Sequence, residues 1–260
     1  MSGIHRIYWR YIQVVLFTMV YTSIGYLLKL SATNYLLVGI PLGILFQLFI
    51  VKKPIHQLWL RKESNFFLNK TGWLIAGCFM ILPGYKLVDS VLENTITCSS
   101  LCYNLATFLG AFAAGYSFSK LTTRTVRDFL LCFIFAAVVR SVLYFLPFII
   151  QNREVQFDPV EAILALLTYT PVAFVLEEVV FRGMLDTHVH VSKEKFGVWS
   201  ALFISLLWGW WHLPLSGNIW SVVLGIWGIP LSFFWRRTGN LAVPAFSHAF
   251  ANSVRDATGS

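Results

Sequence analysis

The chain has 260 residues, of which 57% are hydrophobic, 17% aromatic and only 12% charged, and its mean hydropathy is +0.68. Ordinary domains are about half apolar and about a quarter charged, so this much apolar surface needs lipid as its solvent and excludes a water-soluble domain. The formal charge of +8 does not signal nucleic acid, because the basic residues sit in short gaps between apolar runs, where membrane proteins carry them.

Apolar stretches run in chain order at 8–28, 34–51, 73–92, 101–118, 129–150, 160–185, 197–213, 218–235 and 241–254. A helical span takes about 20 residues. The first stretch is too long for a cleavable signal and lacks a small-residue cleavage site, so it reads as a retained helix. Lys86 and Asp89 interrupt the third stretch, and the ninth is short. The expectation is an all-α, polytopic transmembrane helix bundle of eight or nine spans. Gly259-Ser260 reads as an appended tail.

The charges between stretches alternate. Arg6 and Arg10 precede the first; Lys52, Lys53, Arg61, Lys62 and Lys70 follow the second. Lys120, Arg124 and Arg127 follow the fourth, Lys193 and Lys195 the sixth, and Arg236 and Arg237 the eighth. The intervening gaps hold Lys29, then Glu93, then Arg153 with Glu154, and no charge at 214–219. The bias toward positive cytoplasmic loops then puts the N-terminus and every basic loop in the cytoplasm. Cys78, Cys98, Cys102 and Cys132 form no CxxC pair and read as small apolar-compatible residues, although Cys98 and Cys102 lie one turn apart.

Ionisable residues inside apolar spans are costly unless paired or used, and they concentrate in the last third of the chain. In Leu176-Glu177-Glu178-Val179-Val180-Phe181-Arg182, Glu178 and Arg182 are i and i+4 on one helix face. Glu177 is rotated by about 100° and cannot share that partner equally. One carboxylate is neutralised and its neighbour is left for general-base work; a structural ion network is the alternative. The next cluster, Trp208-Gly209-Trp210-Trp211-His212, places Trp208 and His212 on one face, as a site histidine or as part of an interfacial aromatic belt. In Ser247-His248-Ala249-Phe250-Ala251-Asn252, His248 and Asn252 are one turn apart. They suit either an oxyanion-stabilising pair or interhelical hydrogen bonding.

In this order on successive helices, Glu177-Glu178-x-x-x-Arg182, an aromatic-x-x-x-His212 and His248-x-x-x-Asn252 resemble the CPBP family. These are the CAAX-protease and bacteriocin-processing (Abi) intramembrane enzymes. The resemblance covers about residues 160–254; residues 1–150 match only as generic spans. Trp208 stands where the family usually has Phe, which changes the pocket shape. The resemblance implies N-terminal transmembrane helices over 1–150 and catalytic helices over 151–260, joined in one membrane domain.

It implies cleavage of a membrane-proximal peptide bond. Glu177 would activate water, His212 would help hold it, His248 and Asn252 would stabilise the oxyanion, and Glu178, Arg182 and Trp208 would support them. The implied partner is a peptide or protein with a membrane-proximal or C-terminal cleavage site, lipidated substrates included; the short loops and compactness of the chain point separately to a bacterial plasma membrane. No cofactor is expected. Zinc is the alternative, held by Glu177, His212 and His248 as two histidines and a carboxylate, although the chain has no HExxH helix. His188 and His190 read as loop histidines beside Lys193 and Lys195. Two rival classes are a non-catalytic immunity or scaffold protein on the same bundle and a proton-coupled transporter, the latter opposed by the lack of an inverted repeat.

Depth poses a difficulty. At 1.5 Å per residue, Glu177 lies about 13 Å from Asp186, but His212 lies about 25 Å from Lys195. Upright helices would not bring the two together.

Overall fold

The computed structural model describes residues 3–61, 63–150, 156–190 and 197–258, with residues 3–6 and 143–150 described by backbone alone. Lys62, Arg153, Glu154, Lys193, Lys195 and Gly259-Ser260 therefore lie outside the described residues, as does the side chain of Arg6.

Each apolar stretch lies on a helix. They are α1 (Gly3–Leu27), α2 (Ala32–Phe46, continuing as π-helix to Val51), α3 (Lys70–Leu92), α4 (Cys98–Phe118) and α5 (Thr123–Ile150). Then α6 (Pro159–Val172) runs through π-helical Ala173–Glu177 and Val179–Asp186 into α7 (Thr187–Val189) as one rod. α8 (Val198–Trp211), α9 (Leu213–Thr238) and α10 (Ala242–Ala257) complete the bundle. Among the described residues there is no strand, only an isolated bridge between Leu60 and Asn240. Ala32–Val51, Lys70–Leu92, Pro159–Val189 and Leu213–Thr238 are long and apolar enough to cross a membrane, and Val198–Trp211 is a shorter apolar helix. The protein is an integral membrane helical bundle.

Polar side chains start the helices where the sequence offers them. Asn69 accepts from the Gly72 N–H, Thr97 and Ser100 form a reciprocal capping box, and Asp158 accepts from Val160 and Glu161 with Pro159 beginning the helix. Between helices, small residues set the spacing, as lipid-solvated helices require. Gly115 of α4 lies against Gly72 and Ala76 of α3, and Gly209 of α8 lies against Ser221 and Gly225 of α9. At Gly110 a β-carbon would run into the Pro171 carbonyl of α6. Gly110→Ala is expected to push α4 away from α6 and cost about 1–3 kcal/mol. A lowered unfolding midpoint in detergent checks it, and an unchanged midpoint would show that the two helices do not pack here.

The basic connections meet at one end of the bundle. Arg61 donates to the Arg236 carbonyl, its backbone N–H reaches Gly239, and its guanidinium lies over the Trp235 ring at 4.8 Å. Burial pushes the Arg61 guanidinium down from its ordinary value, while Asp186 pushes it up. Arg236 is paired with Asp186 and also reaches Gly197 and Ser200, while Arg237 pairs with Asp128 at 2.8 Å. These bonds lock the ends of α7, α8 and α9 at one level. His188 is not a free loop residue: it bonds Gln13 at 2.9 Å and packs edge-on to Phe46.

Candidate active site

Glu177 and Glu178 lie where the α6 rod widens. The Glu178 N–H donates to the Ala173 carbonyl five residues back, rather than four. Such π-turns insert an extra residue into a helix and recur at functional sites. Both carboxylates face inward: Glu178 and Arg182 are fully buried, and Glu177 is 9% exposed.

Arg182 donates to Glu178 Oε1 at 3.2 Å and to the Gly228 carbonyl at 3.2 Å. Its guanidinium also lies over the Trp208 ring at 4.4 Å. The aromatic before His212 is thus a platform for the arginine. Gly228 leaves room for it, since a β-carbon there would lie 2.8 Å from both the guanidinium and the Trp208 ring.

The same Glu178 Oε1 has a second partner that the motif spacing does not show. His248 Nδ1 lies 2.9 Å from it. His248 Nε2 points to Glu177 Oε2 at 3.7 Å, and His212 Nε2 approaches that oxygen at 3.6 Å. His212 Nδ1 sits 2.8 Å from the Trp208 carbonyl. A carbonyl only accepts, so Nδ1 of His212 carries the hydrogen, and in the neutral ring Nε2 presents a lone pair. His248 likewise donates from Nδ1, to the Glu178 carboxylate. Two ring nitrogens and one carboxylate oxygen therefore converge, each histidine held from behind. Trp208 and Trp227 wall His248, with ring centroids 5.4 Å away in each case.

The structure thus brings together Glu177, Glu178, Arg182, Trp208, His212 and His248. Asn252 lies one turn beyond His248 on α10 and is half-buried. No hydrogen bond among the described residues joins its amide to the cluster.

Despite the difference in depth, the two side chains meet, with His212 Nε2 3.6 Å from Glu177 Oε2. Side chains on a helix lean toward its N-terminus, and α6 and α8 run in opposite directions from their joined ends. Glu177 leans away from the Asp186 end and His212 leans back toward it, and α8 begins only at Val198, which shortens the rise to His212 by three residues.

Zinc can be tested against this donor set. Glu177, His212 and His248 are the residues that would hold it, and the backing of each Nδ1 by a carbonyl or carboxylate is what ligand histidines have. Donors around a tetrahedral ion stand roughly 3.3 Å apart at ordinary bond lengths, slightly closer than the 3.6 and 3.7 Å seen here. Among the described residues no group of three His, Cys, Asp or Glu is arranged to hold a metal ion. The chemistry of the donors suits zinc better than their present spacing does.

Residues outside the three motifs complete the surroundings. Arg140, in the middle of α5, is 5% exposed and lies over the Trp227 ring at 5.3 Å, behind His248. An arginine within an apolar stretch is itself a signal of function, and it extends the ionisable set beyond the last third of the chain. Trp227, Tyr35 and Trp59 carry no such signal, since aromatics are abundant throughout.

No curated protein and no solved structure matches the chain. A family model does match, over residues 159–254, described as Type II CAAX prenyl endopeptidase Rce1-like. That segment holds every residue of the three motifs, and the match is to the same CAAX-protease family that the motifs resemble.

Proposed function

We propose that the chain is an intramembrane endopeptidase in which Glu177 activates water against a peptide bond presented at the membrane. The observation that carries this is the approach of His212 Nε2 and His248 Nε2 to Glu177 Oε2, at 3.6 and 3.7 Å. At these distances neither histidine hydrogen-bonds Glu177 Oε2, which leaves the oxygen free to accept a proton from water beside both rings.

Water gives a proton to the Glu177 carboxylate as its oxygen attacks the carbonyl carbon. The tetrahedral oxyanion is met by His248 as an imidazolium, whose charge the Glu178 carboxylate supports from Nδ1, as a buried carboxylate supports a catalytic histidine. Asn252 adds an amide N–H from the same helix face. His212, fixed by the Trp208 carbonyl, orients the water. When the C–N bond breaks, the proton held by Glu177 passes to the leaving nitrogen, giving a carboxylate product and an amine product. Arg182 neutralises Glu178 and keeps it out of the proton transfer.

The substrate class follows the family match: a prenylated peptide with a C-terminal CAAX sequence. The basic end of the bundle, carrying Arg61, Arg236 and Arg237, then faces the cytoplasm. Purified protein in proteoliposomes is expected to cut such a peptide once, read by mass spectrometry. Absence of cleavage over prenylated and unprenylated peptides, with ion flux in the same vesicles, would favour the transporter class instead.

The reaction runs without metal in this reading, with Glu177 alone as the base. Against it stands the bond from His248 Nδ1 to Glu178, the kind of backing a metal-bound histidine has. Zinc, if bound, would supply a water of lowered pKa and a polarised carbonyl. EDTA or phenanthroline is expected to leave the purified enzyme active, with far less than one zinc per chain by elemental analysis. A stoichiometric zinc whose removal and return switch activity off and on would overturn the metal-free mechanism and leave the protease standing.

A further inference from the structure

Residues before 159 lie outside the matched segment, yet two aromatic side chains among them reach the backbone beside the candidate catalytic residues. His212 sits at the junction of α8 and α9. Pro214 has no N–H to give, and the N–H groups of Leu215 and Ser216 both turn to the His212 carbonyl, each at 2.9 Å. The Trp211 carbonyl therefore loses the i+4 donor it would have in a continuous helix. Inside a bilayer an unsatisfied carbonyl costs several kcal/mol. Tyr35 of α2 supplies the missing donor: its hydroxyl donates to the Trp211 carbonyl at 2.8 Å.

The Tyr35 ring is itself held. It is fully buried and stacks on Trp211 at 5.2 Å with a 20° interplanar angle. Tyr21 of α1 donates to the Tyr35 carbonyl at 3.0 Å. The peptide leading into His212 is thus fixed by a bond from 176 residues away.

The second irregular backbone is treated in the same way. Within the π-turn before Glu177, the Phe174 carbonyl accepts from the Trp59 indole N–H at 3.1 Å. Trp59 belongs to the segment between α2 and α3, which is fastened to the α9–α10 turn by the Leu241 N–H to Trp59 carbonyl bond of 2.9 Å. Its side chain therefore reaches the α6 rod from a fixed backbone. Each of the two helix irregularities that aim a candidate catalytic side chain thus receives an aromatic donor from the first 60 residues, buried Tyr35 in one case and half-buried Trp59 in the other.

We infer that Tyr35 and Trp59 are positioning residues, Tyr35 for His212 and Trp59 for the Glu177–Glu178 turn. Neither touches the reacting atoms. Tyr35→Phe keeps the ring stack and removes one hydroxyl; Trp59→Phe keeps an aromatic and removes one N–H. Misplacing a catalytic group by a fraction of an ångström is felt in the chemical step, so each change should lower kcat and leave KM in place.

The inference rests on the peptidase reading, and the experiment separates the two. With a CAAX peptide that the wild type cuts, each variant is expected to lose about tenfold in kcat at unchanged KM. Tyr116→Phe, which loses a comparable bond to the Asn65 carbonyl away from the cluster, is expected to keep wild-type kcat. A kcat in Tyr35→Phe and Trp59→Phe equal to that of Tyr116→Phe would overturn the positioning role. If the wild type cuts nothing, the peptidase reading falls. The role of Tyr35 is then read from the His212 ring nitrogens in protein labelled with 15N-histidine. Tyr35→Phe should shift those resonances and Tyr116→Phe should not; identical spectra would overturn it.

Discussion

Glu177→Gln is expected to lower peptide turnover by at least about 100-fold while the protein still inserts and unfolds at its usual temperature. The substitution preserves the side-chain shape and removes the proton acceptor, and general-base assistance contributes about 10²–10⁴-fold. Stability should hold because Glu177 Oε2 makes no hydrogen bond among the described residues, its two histidine neighbours standing at 3.6 and 3.7 Å. The adjacent carboxylate cannot take over. Glu178 Oε1 is held by both Arg182 and His248, and swinging it toward the substrate would break both bonds at once. Turnover near that of wild type, with a substrate verified on the wild-type protein, would remove Glu177 from the role of base.

The helices were legible in the sequence because lipid imposes a simple rule: apolar runs of about 20 residues become spans. The motif residues were legible for a related reason, since few ionisable groups sit in such runs. Spacing along one helix gave the Glu178–Arg182 pair, which the fold retains. It could not give the His248–Glu178 bond, which joins residues 70 positions apart. One carboxylate oxygen thus serves two partners, Arg182 and His248, a sharing that spacing along one helix does not show.

Nor does spacing reveal the π-turns at 173–177 and 179–186, which answer no particular residue pattern. The roles of Tyr35 and Trp59 depend on which carbonyls the irregular turns leave exposed, and so become visible only with the backbone in place. Arg140 is different. Its charge in the middle of the fifth apolar stretch was readable from the start, and its place behind Trp227 gives that charge a location beside the site.

Glu178→Gln and Arg182→Met are each expected to destabilise the protein by about 3–5 kcal/mol, and the double substitution by clearly less than their sum. Both side chains are fully buried, and removing one member of a buried pair strands the other charge without solvent. Methionine is the better replacement for Arg182, because the arginine packs against the Trp208 ring and truncation to alanine would add a cavity to the electrostatic loss. The two stranded charges differ in their remaining partners. Arg182 without Glu178 keeps the Gly228 carbonyl and the Trp208 face, neither of which neutralises it. Glu178 without Arg182 keeps His248, so Arg182→Met should be the milder of the two in stability. Glu178 would then be held by His248 alone, and any movement of that pair would displace the ring nitrogen facing Glu177, so activity should fall even where folding is retained. In the double variant both charges are gone, and the coupling energy should reach about 1–3 kcal/mol. Unfolding in mixed micelles, measured for the wild type, both singles and the double, gives the cycle directly. Additive losses would show that the two side chains do not act as a pair, and Glu178 would then serve His248 alone.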